Sequence, residues 1–147
     1  MRAYIFDIDG TLSDPKHRLH YIEGEKKDWP AFFGACDQDA PIQHMIDLAY
    51  NVAGDDAILF CTGRTDDVRE KTVAWLNDQF QFVIGPEDVY MRAIGDHRDD
   101  TTVKSELMDQ IIADGYEPIM VFEDRARVVK MWRERGIPCL QVVDGEY

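Results

Sequence analysis

The sequence predicts an α/β domain built around a mainly parallel sheet, and three observations predict it. Apolar runs of strand length, Ala3 to Phe6, Ala57 to Cys61 and Pro118 to Phe122, each end in a polar cluster. Between them lie stretches whose apolar residues recur at helical spacing. The two patterns alternate along 147 residues with no internal repeat or low-complexity segment, as expected of parallel strands joined by helices.

The first run closes in Phe6-Asp7-Ile8-Asp9-Gly10-Thr11. A run of this length bounded by Gly reads as a buried strand, and in parallel sheets ligands sit just beyond the carboxyl ends of strands. Alternation along an extended chain puts Asp7 and Asp9 on one side and Ile8 on the other, so one small cation or one phosphate could meet both carboxylates. Capping of a turn before Gly is the alternative role for the pair.

From Leu12 to Ala40 the chain is polar and irregular, with Lys16, His17 and Arg18 near its start, which suits an insertion over an active site. Within it, Asp28-Trp29-Pro30 reads as a helix start, with Asp28 as N-cap and Pro30 in the first turn. Trp29, Phe32 and Phe33 on that helix are expected to be buried, a stacking platform for a base being the alternative.

Pro41 is expected to open a helix burying Ile42, Met45, Ile46 and Ala49 and ending near Gly54. Strand Ala57 to Cys61 ends at Thr62-Gly63-Arg64. Thr65 or Asp66 then caps a helix with Val68, Thr72, Trp75, Leu76 and Phe80 inward. Phe82 to Ile84 and Val89 to Met91 are short apolar pieces, the second supplying a strand. A helix from about Thr101 to Asp114 follows, with Val103, Leu107, Ile111 and Ile112 inward and Gly115 as its stop. Lys104 lies in its first turn, where the macrodipole disfavours a cation. That placement fits a lysine serving an anion, a solvated surface lysine being the alternative. Strand Pro118 to Phe122 ends at Glu123-Asp124-Arg125, a helix from Ala126 to Arg135 buries Val128, Val129 and Trp132, and Pro138 to Val143 is the last strand.

Composition narrows the partners. A formal net charge of -13 argues against a broad basic surface for duplex nucleic acid, while a single nucleic-acid end stays open. Cys36, Cys61 and Cys139 are odd in number and widely spaced, which points to neither disulfides nor zinc. The expectation is a soluble cytoplasmic domain with no leader and no membrane span, since no run approaches the ~20 apolar residues that a span needs. His17, His20, His44 and His97 lack ligand spacing, and Arg127, Lys130, Arg133 and Arg135 read as a solvated helix face.

Three strand ends thus carry polar clusters: Asp7 and Asp9, then Thr62 and Arg64, then Glu123 and Asp124, with Lys104 before the last. Phosphoryl transfer needs this inventory of an oxygen nucleophile, a hard cation, a hydroxyl and an ammonium for phosphate oxygens, and an acid for the leaving group.

In that order, Asp7-Ile8-Asp9-Gly10-Thr11, Thr62, Lys104 and Glu123-Asp124 resemble the four motifs of the haloacid dehalogenase superfamily, over nearly the whole chain. The resemblance implies a three-layer Rossmann-like fold with a minimal cap, as a single domain over 1–147 with 12–40 as a small insertion near the site. It implies Asp7 as nucleophile, Asp9 as general acid and base, and Thr62 and Lys104 on the transferring phosphoryl group. Mg2+ would be held by the Asp7 carboxylate, the backbone carbonyl of Asp9 and Asp124. An acid at Asp9 favours a phosphatase or phosphomutase over a dehalogenase or transport ATPase, and the lack of a four-helix cap suits a bulky or polymeric substrate.

The stretch from Glu123 through Trp132 and Arg133, with Gly136, Cys139, Gln141 and Gly145, resembles the phosphatase domain of bacteriophage polynucleotide kinase/phosphatases, which remove 3′-phosphates from nucleic-acid ends. By that resemblance Arg18, Gly63, Arg64, Asp100 and Arg125 are substrate or phosphate contacts. Glu123 stands where those domains have Asp, so its place in the metal shell is open. No P-loop sequence is present, so 5′-kinase activity is expected from a separate protein or not at all.

The expected function is removal of 3′-phosphate from DNA or RNA ends through an aspartyl-phosphate, alongside a separate kinase or ligase, with the oligomeric state undetermined. The alternatives are a phosphatase of free nucleotides or other small phosphomonoesters, which the acidic surface favours, and a non-catalytic metal-binding subunit of an end-repair assembly.

Overall fold

The computed structural model describes residues 1–145. In chain order its strands are β1 (Arg2–Phe6), the two-residue β2 (Ser13–Asp14) and β3 (Ala40–Pro41), β4 (Ala57–Thr65), β5 (Val89–Arg92), β6 (Glu117–Arg125) and β7 (Cys139–Gly145). Its α-helices are α1 (Trp29–Gly34), α2 (Gln43–Val52), α3 (Arg69–Gln79), α4 (Asp100–Ala113) and α5 (Ala126–Glu134). Five strands form one parallel sheet in the order β5-β4-β1-β6-β7, so β1, the strand that leads into Asp7, is central.

Strand alternation divides the core into two layers. Phe6, Phe60 and Phe122 face α2 and α3, where they meet Met45, Ile46, Trp75 and Leu76, and the Phe6 and Phe122 rings stack at 4.3 Å. Ala3, Ile5, Leu59 and Val121 face α4 and α5, where they meet Leu107, Met108, Ile111, Val129 and Trp132. The result is the expected three-layer α/β sandwich.

The 12–40 segment folds as a frame rather than a helical cap. Its ends are joined by antiparallel pairing of β2 with β3. Between them lie a 3-10 turn over Lys16–Tyr21, α1, and a second 3-10 turn over Cys36–Gln38. Asp28 caps α1 by accepting from the Ala31 amide at 3.1 Å, as the sequence predicts.

Three local expectations change. Pro41 sits in β3 opposite Ser13, and α2 begins at Gln43, because the chain first closes the base of the insertion. Phe82 to Ile84, the other short apolar piece, lies in a loop from which the Phe82 ring and Ile84 pack against the core. Ile112 is 46% exposed and Met108 takes the buried position, one step round α4. Trp29 is 42% exposed, whereas Phe32 of the same helix is buried. Among the described residues, no helix is long and apolar enough to cross a membrane.

Candidate active site

The site lies at the carboxyl edge of the sheet, where β1, β4 and β6 end side by side. Register irregularities fall at that edge, between Thr62 and Thr65 on β4 and between Glu123 and Arg125 on β6. Such breaks in pairing re-aim side chains next to functional sites.

Asp7 follows β1 and is anchored by its amide, which donates to the Phe122 carbonyl at 3.0 Å. Its carboxylate accepts from Lys104 Nζ at 2.8 Å and from Thr11 Oγ1 at 3.1 Å. Asp7 and Glu123 lie on the α4 face of their strands, so Lys104, in the first turns of α4, reaches both; its second contact is to Glu123 at 2.8 Å. Lys104 is only 3% exposed, which removes the surface alternative. Burial of an ammonium is costly unless it is paired. Here the two carboxylates hold its pKa well above the usual lysine value.

Asp7, Glu123 and Asp124 each offer an oxygen within 4.8 Å of the others. Three buried carboxylates against one ammonium leave excess negative charge. Burial accordingly pushes the Asp7 carboxyl up to about 8, with Lys104 opposing and Asp124 adding to the rise. Glu123 is raised to about 7, again by burial first and then by Asp7. An all-oxygen, electron-rich cluster of this kind fits a hard divalent cation. The backbone is shaped to the same end. Gly10 has φ +82°, and a Cβ there would lie 2.2 Å from Asp124 Oδ2, so only glycine lets the Asp9-Gly10 turn close over that carboxylate. Glu123 also accepts from the amides of Asp124 and Arg125, at 3.2 and 3.3 Å, so its longer side chain folds back to brace the loop as well as Lys104.

Asp9 departs from the simple alternation reading. The chain turns after β1, with the Ile8 carbonyl accepting from the amides of Thr11, Leu12 and Ser13, and the two aspartates part. The carboxylate of Asp9 does not join the acidic cluster. It accepts from Arg18 at 2.5 Å and from Arg64 at 2.7 Å. Those guanidinium groups outweigh the effect of burial and hold Asp9 well below the usual carboxylate range. Arg18 and Arg64 are therefore adjacent, fully buried and aimed at the second aspartate of the motif.

Sequence reasoning missed the residue that holds this arginine pair. Asp39, at the end of the insertion, accepts from Arg18 Nε at 2.8 Å and Nη2 at 2.6 Å, from Arg64 Nη2 at 3.3 Å and from His17 at 2.7 Å. The Arg18 guanidinium also lies over the Phe32 ring, 4.4 Å from its centroid. Two arginines assigned to one phosphate need resting counter-charges, which was the available signal, but nothing in the local sequence singles out Asp39.

The remaining candidates frame the site. Thr62 Oγ1 accepts from the Arg64 amide at 3.1 Å. The Gly63 carbonyl accepts from Arg92 Nε at 3.0 Å, and a Cβ on Gly63 would meet Asp100 Oδ1 at 2.7 Å. Asp100 bridges Arg92 and Arg125, the latter at 2.6 Å. Arg92, also missed, pins the loop before α4 through the carbonyls of Asp96 and Arg98. Asp100 thus joins the start of α4 to the carboxyl ends of β5 and β6. Arg127, Lys130 and Arg133 are exposed on α5, as a solvated face implies, with Arg127 paired to Asp99; Arg135, just past the helix, pairs with Asp109.

The fold and the acidic, lysine-bearing rim define a haloacid dehalogenase-like hydrolase of the phosphatase kind, and known proteins agree. A hydrolase of the haloacid dehalogenase-like family from Streptococcus pneumoniae superposes with a TM-score of 0.62 at 15% identity, over 93% of this chain and 82% of that one, which shows the shared fold. The family model of the polynucleotide kinase PNKP phosphatase domain matches residues 1–147, and the chain belongs to that family. It is 30% identical, over 99% of its length, to a putative bifunctional polynucleotide kinase/RNA ligase of Autographa californica nuclear polyhedrosis virus, of which it covers 20%. A chain in a structure of the Pnkp1/Rnl/Hen1 RNA repair complex superposes with a TM-score of 0.78 at 28% identity, over 99% of this chain and 43% of that one. The chain therefore spans less than half the length of these two relatives.

Proposed function

We propose that this domain removes the 3′-phosphate from nucleic-acid ends, with Mg2+ as cofactor and an aspartyl-phosphate on Asp7 as intermediate. The observation that carries this reading is the placement of Asp7, a buried carboxylate held by Lys104 and Thr11 within reach of Glu123 and Asp124.

Mg2+, held by the Asp7 and Asp124 carboxylates and the backbone carbonyl of Asp9 with Glu123 behind, would supply positive charge to the phosphoryl oxygens. A carboxylate oxygen of Asp7 attacks phosphorus, the bond to O3′ breaks, and its electron pair leaves on O3′, which takes a proton from Asp9. Water then attacks the acyl-phosphate, giving its proton to Asp9, and inorganic phosphate departs with Asp7 restored. Lys104 and Thr62 stabilise the charge on the transferring group, usually the largest catalytic contribution.

Arg18 and Arg64 hold Asp9 ionised in the resting site, and an ionised group cannot protonate a leaving oxygen. A phosphate dianion entering beside them competes for both guanidinium groups and loosens their hold on Asp9, which then takes up a proton from solvent water and returns it once phosphate has left. The same arginines thus serve as phosphate ligands. The relatives named above link the family to polynucleotide kinase and RNA ligase, which favours RNA ends as substrate and a kinase or ligase as functional neighbour.

The test is mass spectrometry of protein quenched during turnover of a 3′-phosphorylated oligonucleotide. One phosphoryl group is expected on the peptide carrying Asp7; phosphate release with no such adduct under any quench would contradict the covalent route.

A further inference from the structure

Of the three tryptophans, Trp29 alone faces solvent. The sequence favours its burial beside Phe32 and Phe33, and Trp75 and Trp132 are both buried, yet Trp29 is 42% exposed. It is nonetheless held firmly. The Asp28 cap and Pro30 fix the start of its short helix, and its ring packs at 5.7 Å edge-on to Phe32 and at 5.8 Å stacked with Phe33. Lys27 Nζ lies over the ring, 5.9 Å from the centroid.

The location connects this aromatic to the phosphatase site. Phe32, which touches Trp29, also carries the Arg18 guanidinium on its ring and accepts from Arg18 at its carbonyl, and Arg18 contacts Asp9. From the second aspartate of the motif to Trp29 there are only two intervening side chains.

Charge supplies the second argument. A chain with net charge -13 gains little from long-range attraction to a polyanion. Stacking of a base on an aromatic ring is worth ~1–3 kcal/mol and does not depend on net charge. We propose that Trp29, backed by Phe33, is the stacking site for a nucleobase in the last two nucleotides of the strand whose 3′-phosphate enters at Asp7. This rests on the reading of the domain as a nucleic-acid-end phosphatase. Lys27, on a flexible stem, gives way to the base and places its ammonium beside the strand's phosphodiester.

The test compares kcat/KM for a 3′-phosphorylated oligonucleotide with kcat/KM for glycerol phosphate, which has no base. Trp29→Ala is expected to lower the ratio of the two about tenfold, through KM for the oligonucleotide, and Trp29→Phe to keep most of it. With an oligonucleotide lacking bases at its last two positions, the wild type and Trp29→Ala are expected to have equal ratios. An unchanged ratio for Trp29→Ala on the intact oligonucleotide would overturn the stacking site while leaving the end-phosphatase reading intact. A wild-type enzyme that prefers glycerol phosphate would instead overturn the end-phosphatase reading, and the stacking site with it.

Discussion

Asp39 receives two nitrogens of Arg18, at 2.8 and 2.6 Å, inside a segment that sequence alone reads as an irregular insertion. Both side chains are fully buried. The insertion thereby acts on the site by holding a guanidinium against Asp9.

Replacing Asp39 with Asn should therefore be costly twice over. Removing one partner of a buried ion pair typically costs ~3–5 kcal/mol of stability. Thermal unfolding should show a large drop in Tm. At temperatures where the variant stays folded, KM for a phosphorylated substrate should rise, because Arg18 and Arg64 lose their shared anchor. An unaltered KM would mean that the arginines do not depend on Asp39.

Asp7→Asn should abolish turnover while preserving the fold. It also removes one negative charge from a cluster that holds three carboxylates and one ammonium. Without divalent cation at pH 8, the variant should melt at or above the wild-type Tm, a result that separates loss of the nucleophile from loss of structure.

The stability of the cation-free protein should fall as pH rises. Asp7 and Glu123 have folded-state values near 8 and 7, above their ordinary 3.8 and 4.5. A group whose pKa is raised by folding binds more protons folded than unfolded. Its contribution is full below pH ~4 and is lost as pH climbs through 7 and 8. Mg2+ offsets the ionised cluster, so its effect on Tm should be larger at pH 8 than at pH 5 in calorimetry. Equal increments at both pH values would argue against these residues as the cation site.

Gly10→Ala should weaken the cation response specifically. The position combines φ +82° with a Cβ path blocked by Asp124, so the substitution brings backbone strain of ~1–2 kcal/mol and displaces a carboxylate of the cluster. Activity should then need more Mg2+ to reach its half-maximum. A wild-type Mg2+ titration would show that Asp124 is not where the cation binds.

Much of this arrangement was legible in the sequence because it follows from strand ends. Asp7, Thr62 and Glu123 each come directly after an apolar run, and the unfavourable helix position of Lys104 was a hint that left a surface role open. The parting of Asp7 and Asp9 was not legible, because alternation holds only while the chain is extended, and the turn after Phe6 redirects it. Asp39 and Arg92 were hidden for a different reason. Each acts through contacts distant in sequence, Asp39 with Arg18 and Arg64, and Arg92 with Gly63 and Asp100. Neither carries a local pattern of its own. Trp29 reads as core by residue type, and only its observed exposure distinguishes it from Phe32.

The central claim is tested most directly by phosphate release, with and without Mg2+, from three substrates: a 3′-phosphorylated oligonucleotide, its 5′-phosphorylated counterpart and a 3′-mononucleotide. The account predicts Mg2+-dependent release with the highest kcat/KM for the 3′-phosphorylated oligonucleotide and little from the 5′ form. Equal or better turnover of the mononucleotide would contradict the assignment to nucleic-acid ends and place the Asp7 chemistry in small-molecule hydrolysis.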